Sequence, residues 1–226
     1  MKKINELKNI LKEILGWNNA RLTCFSQMLL ALFSVRTVNL REIAVAFSSS
    51  ALIDSRYKRL KRFFAQFKID LDVIAVWIFK LFFSESEKVY LTVDRTNWYW
   101  GKSKINILTL GVAYEGMAIP LLWSLLDKAG NATAAEHQAI LQRFVNLFGK
   151  DCIAGVLADR EFGSSDLFRW FNENNIPFYI RIKEDSIVRI GKKKLFSAEK
   201  IFHDISQEYH EISFRLKIAS FFLFEQ

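Results

Sequence analysis

At Lys88 the spacing of apolar residues changes, and with it the kind of structure the chain can build. Upstream, apolar residues recur every three or four positions, and Ile4, Leu7, Ile10, Leu11, Ile14 and Leu15 line one helix face. A second helix is expected over residues 23–35. A third begins at Asn39, a residue that caps well, and covers Leu40, Ile43, Ala44 and Phe47. After a break at residues 48–50, Asp54 or Ser55 can cap a fourth helix with the stripe Tyr57, Leu60, Phe63, Phe64 and Phe67. The apolar stretch 73–83 contains Lys80 and has the length of a core helix.

Downstream the pattern is that of strands. Residues 88–94 alternate and are β-rich, 105–113 and 117–126 read as two further strands, and Tyr114, Glu115 and Gly116 form the turn between these two. A helix capped within residues 131–133 runs to Phe148, with Gly149 as its stop. Residues 152–158 are a continuous apolar run, as a buried central strand requires. A helix over 164–174 and a strand over 177–182 follow. The order β-β-β-α-β-α-β is an α/β arrangement with the layout of a ribonuclease-H-like core. The expected organisation is a helical basic region, 1–85, a core, 86–183, and the start of a further β-rich segment, 184–226. In the last segment residues 187–194 read as a hairpin and 208–218 as another strand pair. The apolar residues 218–224 read as a cut end.

Hydrophobic residues make up 51% of the chain, enough for a packed core and too many for disorder. Two prolines against 21 phenylalanines favour long regular elements. Cys24 and Cys152 stand far apart and read as reduced core thiols. His137, His203 and His210 have no ligand or triad spacing. The first 15 residues mix charges into their apolar positions, unlike a signal sequence, and no uncharged run of about 18 apolar residues occurs. A cytoplasmic protein is expected.

Of the net charge of +8, nearly all lies upstream: residues 1–85 hold 14 Lys and Arg against 7 Asp and Glu. Nucleic acid is the natural polyanionic partner for such an excess. Arg56, Lys58, Arg59, Lys61 and Arg62 lie on one helix, where they either track phosphates or form a solvated face. The helix–break–helix over 39–67 has the outline of a helix-turn-helix.

Two carboxylates stand at chemically informative places. LTVDRTNW puts Asp94 at the end of the first strand, and LADREFG puts Asp159 at the end of the buried strand. Either aspartate alone could cap a loop. In a sheet of this order their strands are neighbours, and converging carboxylates are tolerated mainly around a cation. Mg²⁺ or Mn²⁺ suits such oxygen ligands, and two ions roughly 3.5–4 Å apart are the usual device for phosphodiester displacement. Trp98, Tyr99 and Trp100 either stack on bases or cover the sheet edge.

VDRTNW and ADREFG resemble the first- and second-aspartate motifs of bacterial insertion-sequence transposases of the DDE class, in the cut-and-paste group whose third motif is Y-x-x-R-x-x-x-E. RIKEDS, at 181–186, is similar to the stretch after the second motif, and DSRYKRLKRFF, at 54–64, resembles a helix of their DNA-binding region. The resemblance implies transposon-end and target double-stranded DNA as partner, Mg²⁺ or Mn²⁺ held by Asp94 and Asp159, hydrolytic strand cleavage followed by strand transfer, and a homodimer in the full-length family. Arg95 and Arg160 would lie near phosphate or structure the aspartate loops. No Y-x-x-R-x-x-x-E follows Asp159. Truncation before the third carboxylate is the simplest expectation, with Glu161, Glu173 and Glu211 as other possible ligands. The alternative is a non-catalytic DNA-binding remnant able to inhibit the full-length enzyme.

Overall fold

The computed structural model describes residues 2–84, 86–182, 187–190 and 194–198. The chain divides into two units, Met1–Trp77 and Ile78–Gln226. Among the described residues no helix is long and apolar enough to cross a membrane.

The first unit is helical: α1 (Lys2–Leu15), α2 (Asn19–Val35), α3 (Leu40–Val45), α4 (Ile53–Gln66) and the beginning of α5 (Leu71–Phe82). Asparagines start two of these helices. The side chain of Asn18 accepts from the N–H of Arg21, and that of Asn39 from the N–H of Arg41, each at 3.0 Å. The Asn18 cap starts α2 four residues before the apolar pattern does. Contrary to expectation, α4 begins at Ile53 with no side-chain cap, and Asp54 lies in its first turn. Two apolar clusters hold the helices. Leu11, Leu15 and Leu22 form one, joined by Ile74 and Trp77. In the other, Cys24, Met28 and Ala31 of α2 meet Ile43 and Ala44 of α3, and Leu60 and Phe63 of α4. Leu60 is fully buried, which contributes about 1.5–3 kcal/mol.

The second unit is built on a mixed five-stranded sheet in the order β3-β2-β1-β4-β5. The meander β1 (Val89–Trp100), β2 (Ser103–Tyr114) and β3 (Met117–Leu125) is antiparallel. Glu115 and Gly116, with φ of 47° and 79°, make the β2–β3 turn in the left-handed region that a two-residue hairpin demands. α6 (Ala134–Phe148) opens on a capping box between Thr133 and Glu136 and packs over β2 and β3. β4 (Ile153–Ala158) then pairs in parallel with β1. One 3₁₀ turn, Arg160–Phe162, leads into α7 (Ser165–Asn174) and β5 (Phe178–Ile180), parallel to β4. β6 (Ile187–Ile190) and β7 (Lys194–Ser197) form the expected hairpin as a separate sheet. The second expected strand pair lies outside the described residues. The order β-β-β-α-β-α-β matches the sequence pattern and fits a ribonuclease-H-like core.

Strand alternation decides which residues reach the core. Val89, Leu91 and Val93 are buried, with Leu108, Leu110 and Val112 of β2 beside them. Tyr90, Thr92 and Asp94 therefore share the opposite face. Under the core face Phe144 and Phe148 of α6 pack on Phe79, and Phe171 of α7 stacks on Phe178. One expectation is corrected here. β1 does not end at Asp94 but continues to Trp100, because β2 pairs with it from Leu91↔Val112 as far as Trp100↔Ser103.

Gly111 sits at the β2–β3 bulge, where an added Cβ would lie 2.9 Å from the Ile119 carbonyl oxygen and 3.0 Å from Thr92 Oγ1. The first of these is ladder backbone and cannot swing aside. Gly111→Ala is therefore expected to cost about 1–3 kcal/mol, seen in thermal melting as a fall of roughly 2–12 °C; an unchanged midpoint contradicts this packing.

Candidate active site

Strand register places the two aspartates. Val93 of β1 and Ala158 of β4 are partners, so Asp94 is the next residue along β1 and Asp159 is the first residue beyond β4, on neighbouring parallel strands about 5 Å apart. Asp94 follows buried Val93 and projects from the face opposite Leu91 and Val93, and Asp159 follows half-buried Ala158. Their local hydrogen bonding is alike. Asp94 Oδ1 accepts from the N–H of Arg95, and Asp159 Oδ1 from the N–H of Arg160, each at 2.7 Å. Asp159 thereby caps the 3₁₀ turn, the capping role that the sequence left open to either aspartate. Both carboxylates are exposed, and among the described residues neither Oδ2 is engaged. Arg181, just past β5, brings Nη1 to 3.9 Å from Asp159 Oδ1 and donates its backbone N–H to the Ala158 carbonyl.

Arg95 points to the other face and is almost wholly spent. Its Nε and one Nη donate to both oxygens of Glu161 at 3.1 and 2.9 Å. Its remaining contacts are Asn106 Oδ1 at 3.4 Å and Asn131 Oδ1 at 3.1 Å. Asn106, buried, donates in turn to the carbonyls of Lys128 and Gly130. This network ties β1, β2, the loop before α6 and the turn after Asp159 into one piece. The bond to Glu161 holds the Arg95 guanidinium above its already high range, against partial burial, and the charges of Glu161 and Asp94 add to it. Of the two roles expected for Arg95, structuring the aspartate loop is the one this geometry serves. Arg160 is exposed and has no side-chain partner among the described residues.

The same network bears on the third ligand. Both Glu161 oxygens are held by Arg95, and among the described residues no group of three or more His, Cys, Asp or Glu could hold a metal. Glu173 is exposed near the far end of α7, and Glu211 lies outside the described residues. His137 is buried against Phe162 with neither ring nitrogen hydrogen-bonded, and burial depresses its pKa. It is a core residue. The two aspartates fit a hard divalent cation: adjacent, exposed and each with an oxygen to give. Mg²⁺ in such a site takes one or two carboxylates and completes its shell with water and phosphate oxygens.

In the first unit the five basic residues of α4 separate into different roles. Arg56 turns back on the α3–α4 connection and donates to the carbonyls of Ala44, Val45, Phe47, Ser49 and Ala51. Arg59 donates to the Ala20 carbonyl at the start of α2. Lys58, Lys61 and Arg62 are exposed. Arg59 and Arg62 also line a hollow of about 340 Å³ with Arg21, Phe63 and Phe67, in which the Arg21 guanidinium lies 4.2 Å from the Phe67 ring centre. Arg21 was not singled out from the sequence, because its partners lie some forty residues away on another helix.

The Arg95–Glu161 pair generates a stability prediction. The Arg95 side chain is 9% exposed and that of Glu161 25%, so removing one partner strands a shielded charge. Arg95→Met and Glu161→Met are each expected to cost about 3 kcal/mol. Their combination should cost less than the sum. A double-mutant cycle by denaturant unfolding measures this, and additive losses would show that the pair is not coupled.

No family model matches the chain, and no curated protein matches it either. Among solved structures it is similar to the HTLV-2 integrase catalytic core domain in complex with magnesium. Its dimeric form is 17% identical, with 42% of this chain and 61% of that one covered and a TM-score of 0.33. Its trimeric form is 16% identical, with 42% and 60% covered and a TM-score of 0.34. The chain thus spans about three fifths of those cores.

Proposed function

We propose that this chain handles DNA in DDE-type transposition, with Asp94 and Asp159 as metal-binding carboxylates. The observation that supports the reading is the register pair Val93↔Ala158, which is followed on each of two neighbouring strands by an exposed aspartate. Bound there, Mg²⁺ or Mn²⁺ would lower the pKa of a coordinated water or 3′-hydroxyl and stabilise the charge of phosphodiester displacement. The chain's own residues orient that site. The Arg95 and Arg160 N–H groups fix the rotamers of the two aspartates. The Arg95–Glu161–Asn106 network fixes the strands that carry them. Arg160 and Arg181 offer positive charge to a phosphate at the same edge.

The first unit, extended by residues up to 85, is proposed to bind double-stranded DNA. Lys58, Lys61 and Arg62 supply phosphate contacts, Arg59 forms part of the wall of the arginine hollow, and Arg56 holds the α3–α4 connection in shape. A non-catalytic reading, in which the chain occupies DNA ends without cutting them, is the second: among the described residues no group of three or more His, Cys, Asp or Glu could hold a metal.

Cleavage of supercoiled and end-containing DNA with Mn²⁺, together with Mn²⁺ titration, separates the two. Asp94→Asn and Asp159→Asn are each expected to weaken Mn²⁺ binding by tenfold or more, on the order of 1.4 kcal/mol, and to abolish cleavage. Cleavage that survives Asp94→Asn sinks the metal assignment. DNA binding with no cleavage by the unaltered chain leaves the non-catalytic reading standing.

A further inference from the structure

β1 and β2 run on as a bare two-stranded ribbon after their neighbours have stopped. β4 leaves β1 at Val93, and β3 leaves β2 at Ile107, so residues 97–106 have no third strand beside them among the described residues. This ribbon carries large aromatic surface in water: Trp98 is 43% exposed and Tyr99 65%. Among the described residues no other ring packs against either. From Arg95 to Tyr114 the chain contains no acidic residue, while Lys102 and Lys104 add positive charge at the tip. The Lys104 ammonium stands 5.5 Å from the centre of the Tyr99 ring.

A small hollow of about 120 Å³ lies between this ribbon and residues 128–130, bounded by Asn97, Trp98, Tyr99, Lys104 and Asn106. Its far wall is not loose, because buried Asn106 pins the Lys128 and Gly130 carbonyls to the ribbon at 3.2 and 3.0 Å. A hollow with a flat phenol ring, an amide and an ammonium on its rim matches a heterocyclic base attached to a phosphate. Bases within a duplex are already stacked on both faces, so the form able to enter is an unpaired one.

We propose that the hollow between the β1–β2 ribbon and residues 128–130 seats an unpaired nucleobase of single-stranded DNA, stacked on Tyr99, with Trp98 at its margin and Lys104 on its phosphate. This rests on the reading of the chain as a DNA-processing protein and adds the place where an opened strand is held. Asn97 and Tyr99 lie three and five residues beyond Asp94, about 10–17 Å along the strand. The edge of β1 between them is left free by β4, so a strand leaving the carboxylates can pass over that edge to the ribbon.

The test measures affinity of the full chain, in EDTA, for a labelled oligothymidylate of about ten nucleotides and for a duplex. It uses the unaltered protein and its Tyr99→Ala and Tyr99→Phe variants, each also in the Asp94→Asn background. Tyr99→Ala should weaken single-strand binding roughly five- to hundredfold, Tyr99→Phe should keep it, and duplex binding should stay within about twofold. No single-strand binding by the unaltered chain, no effect of Tyr99→Ala, or an equal loss for duplex and single strand overturns the proposal. The measurement needs neither metal nor cleavage. Failure of the carboxylate chemistry therefore leaves it standing, and failure of the ribbon leaves the carboxylate chemistry untouched.

Discussion

Parallel pairing of β1 with β4 is the constraint on which the rest of this site depends. A parallel neighbour must be reached by a long crossover, and here β2, β3 and α6 together supply it before the apolar run of β4 slots in beside β1. Register then leaves little freedom. The buried alternation Val89, Leu91 and Val93, with buried Val156 beside Leu91, fixes which face turns inward, and a slip of one residue would bury Asp94 and expose Val93. The hydrophobic effect that sets the core therefore also sets the carboxylates side by side, at the electrostatic cost of two like charges in proximity. Exposure to water, the two backbone N–H bonds and the Arg181 guanidinium moderate that cost.

The arginines show how little charge alone says about role. Arg56 and Arg95 both sit in motifs rich in positive charge, yet each has its guanidinium turned inward onto carbonyls or a carboxylate. Five donors in a rigid plane can satisfy several acceptors at once, which suits closing a turn without a regular ladder. Lys58, Lys61, Arg62 and Arg160 keep their heads in water.

Much of this architecture was legible because its signals are local. Asn39, Thr133, Ser164 and the Glu115–Gly116 turn mark element ends through bonds to near neighbours, and they lie where the sequence pattern put them. That the strands leading into Asp94 and Asp159 are neighbours was legible because it follows from the strand order. What could not be read depended on distant partners. β1 runs past Asp94 only because β2 pairs with it as far as Trp100. Arg95 meets Glu161 sixty-six residues later, and Asn106 and Asn131 complete its shell, with no short-range pattern to announce them. The 3₁₀ turn after Asp159 is a single turn of three residues, too short to leave a period in the sequence.

The central claim is that β1–β4 register builds one divalent-cation site from Asp94 and Asp159. Crystals of the full chain soaked in Mn²⁺ and measured at the manganese absorption edge test it directly. The account predicts an anomalous peak within about 2.0–2.3 Å of an oxygen of each aspartate, lost in the Asp94→Asn protein. Manganese bound elsewhere, or Asp159 bridged to Arg181 with no ion between the two carboxylates, would contradict it.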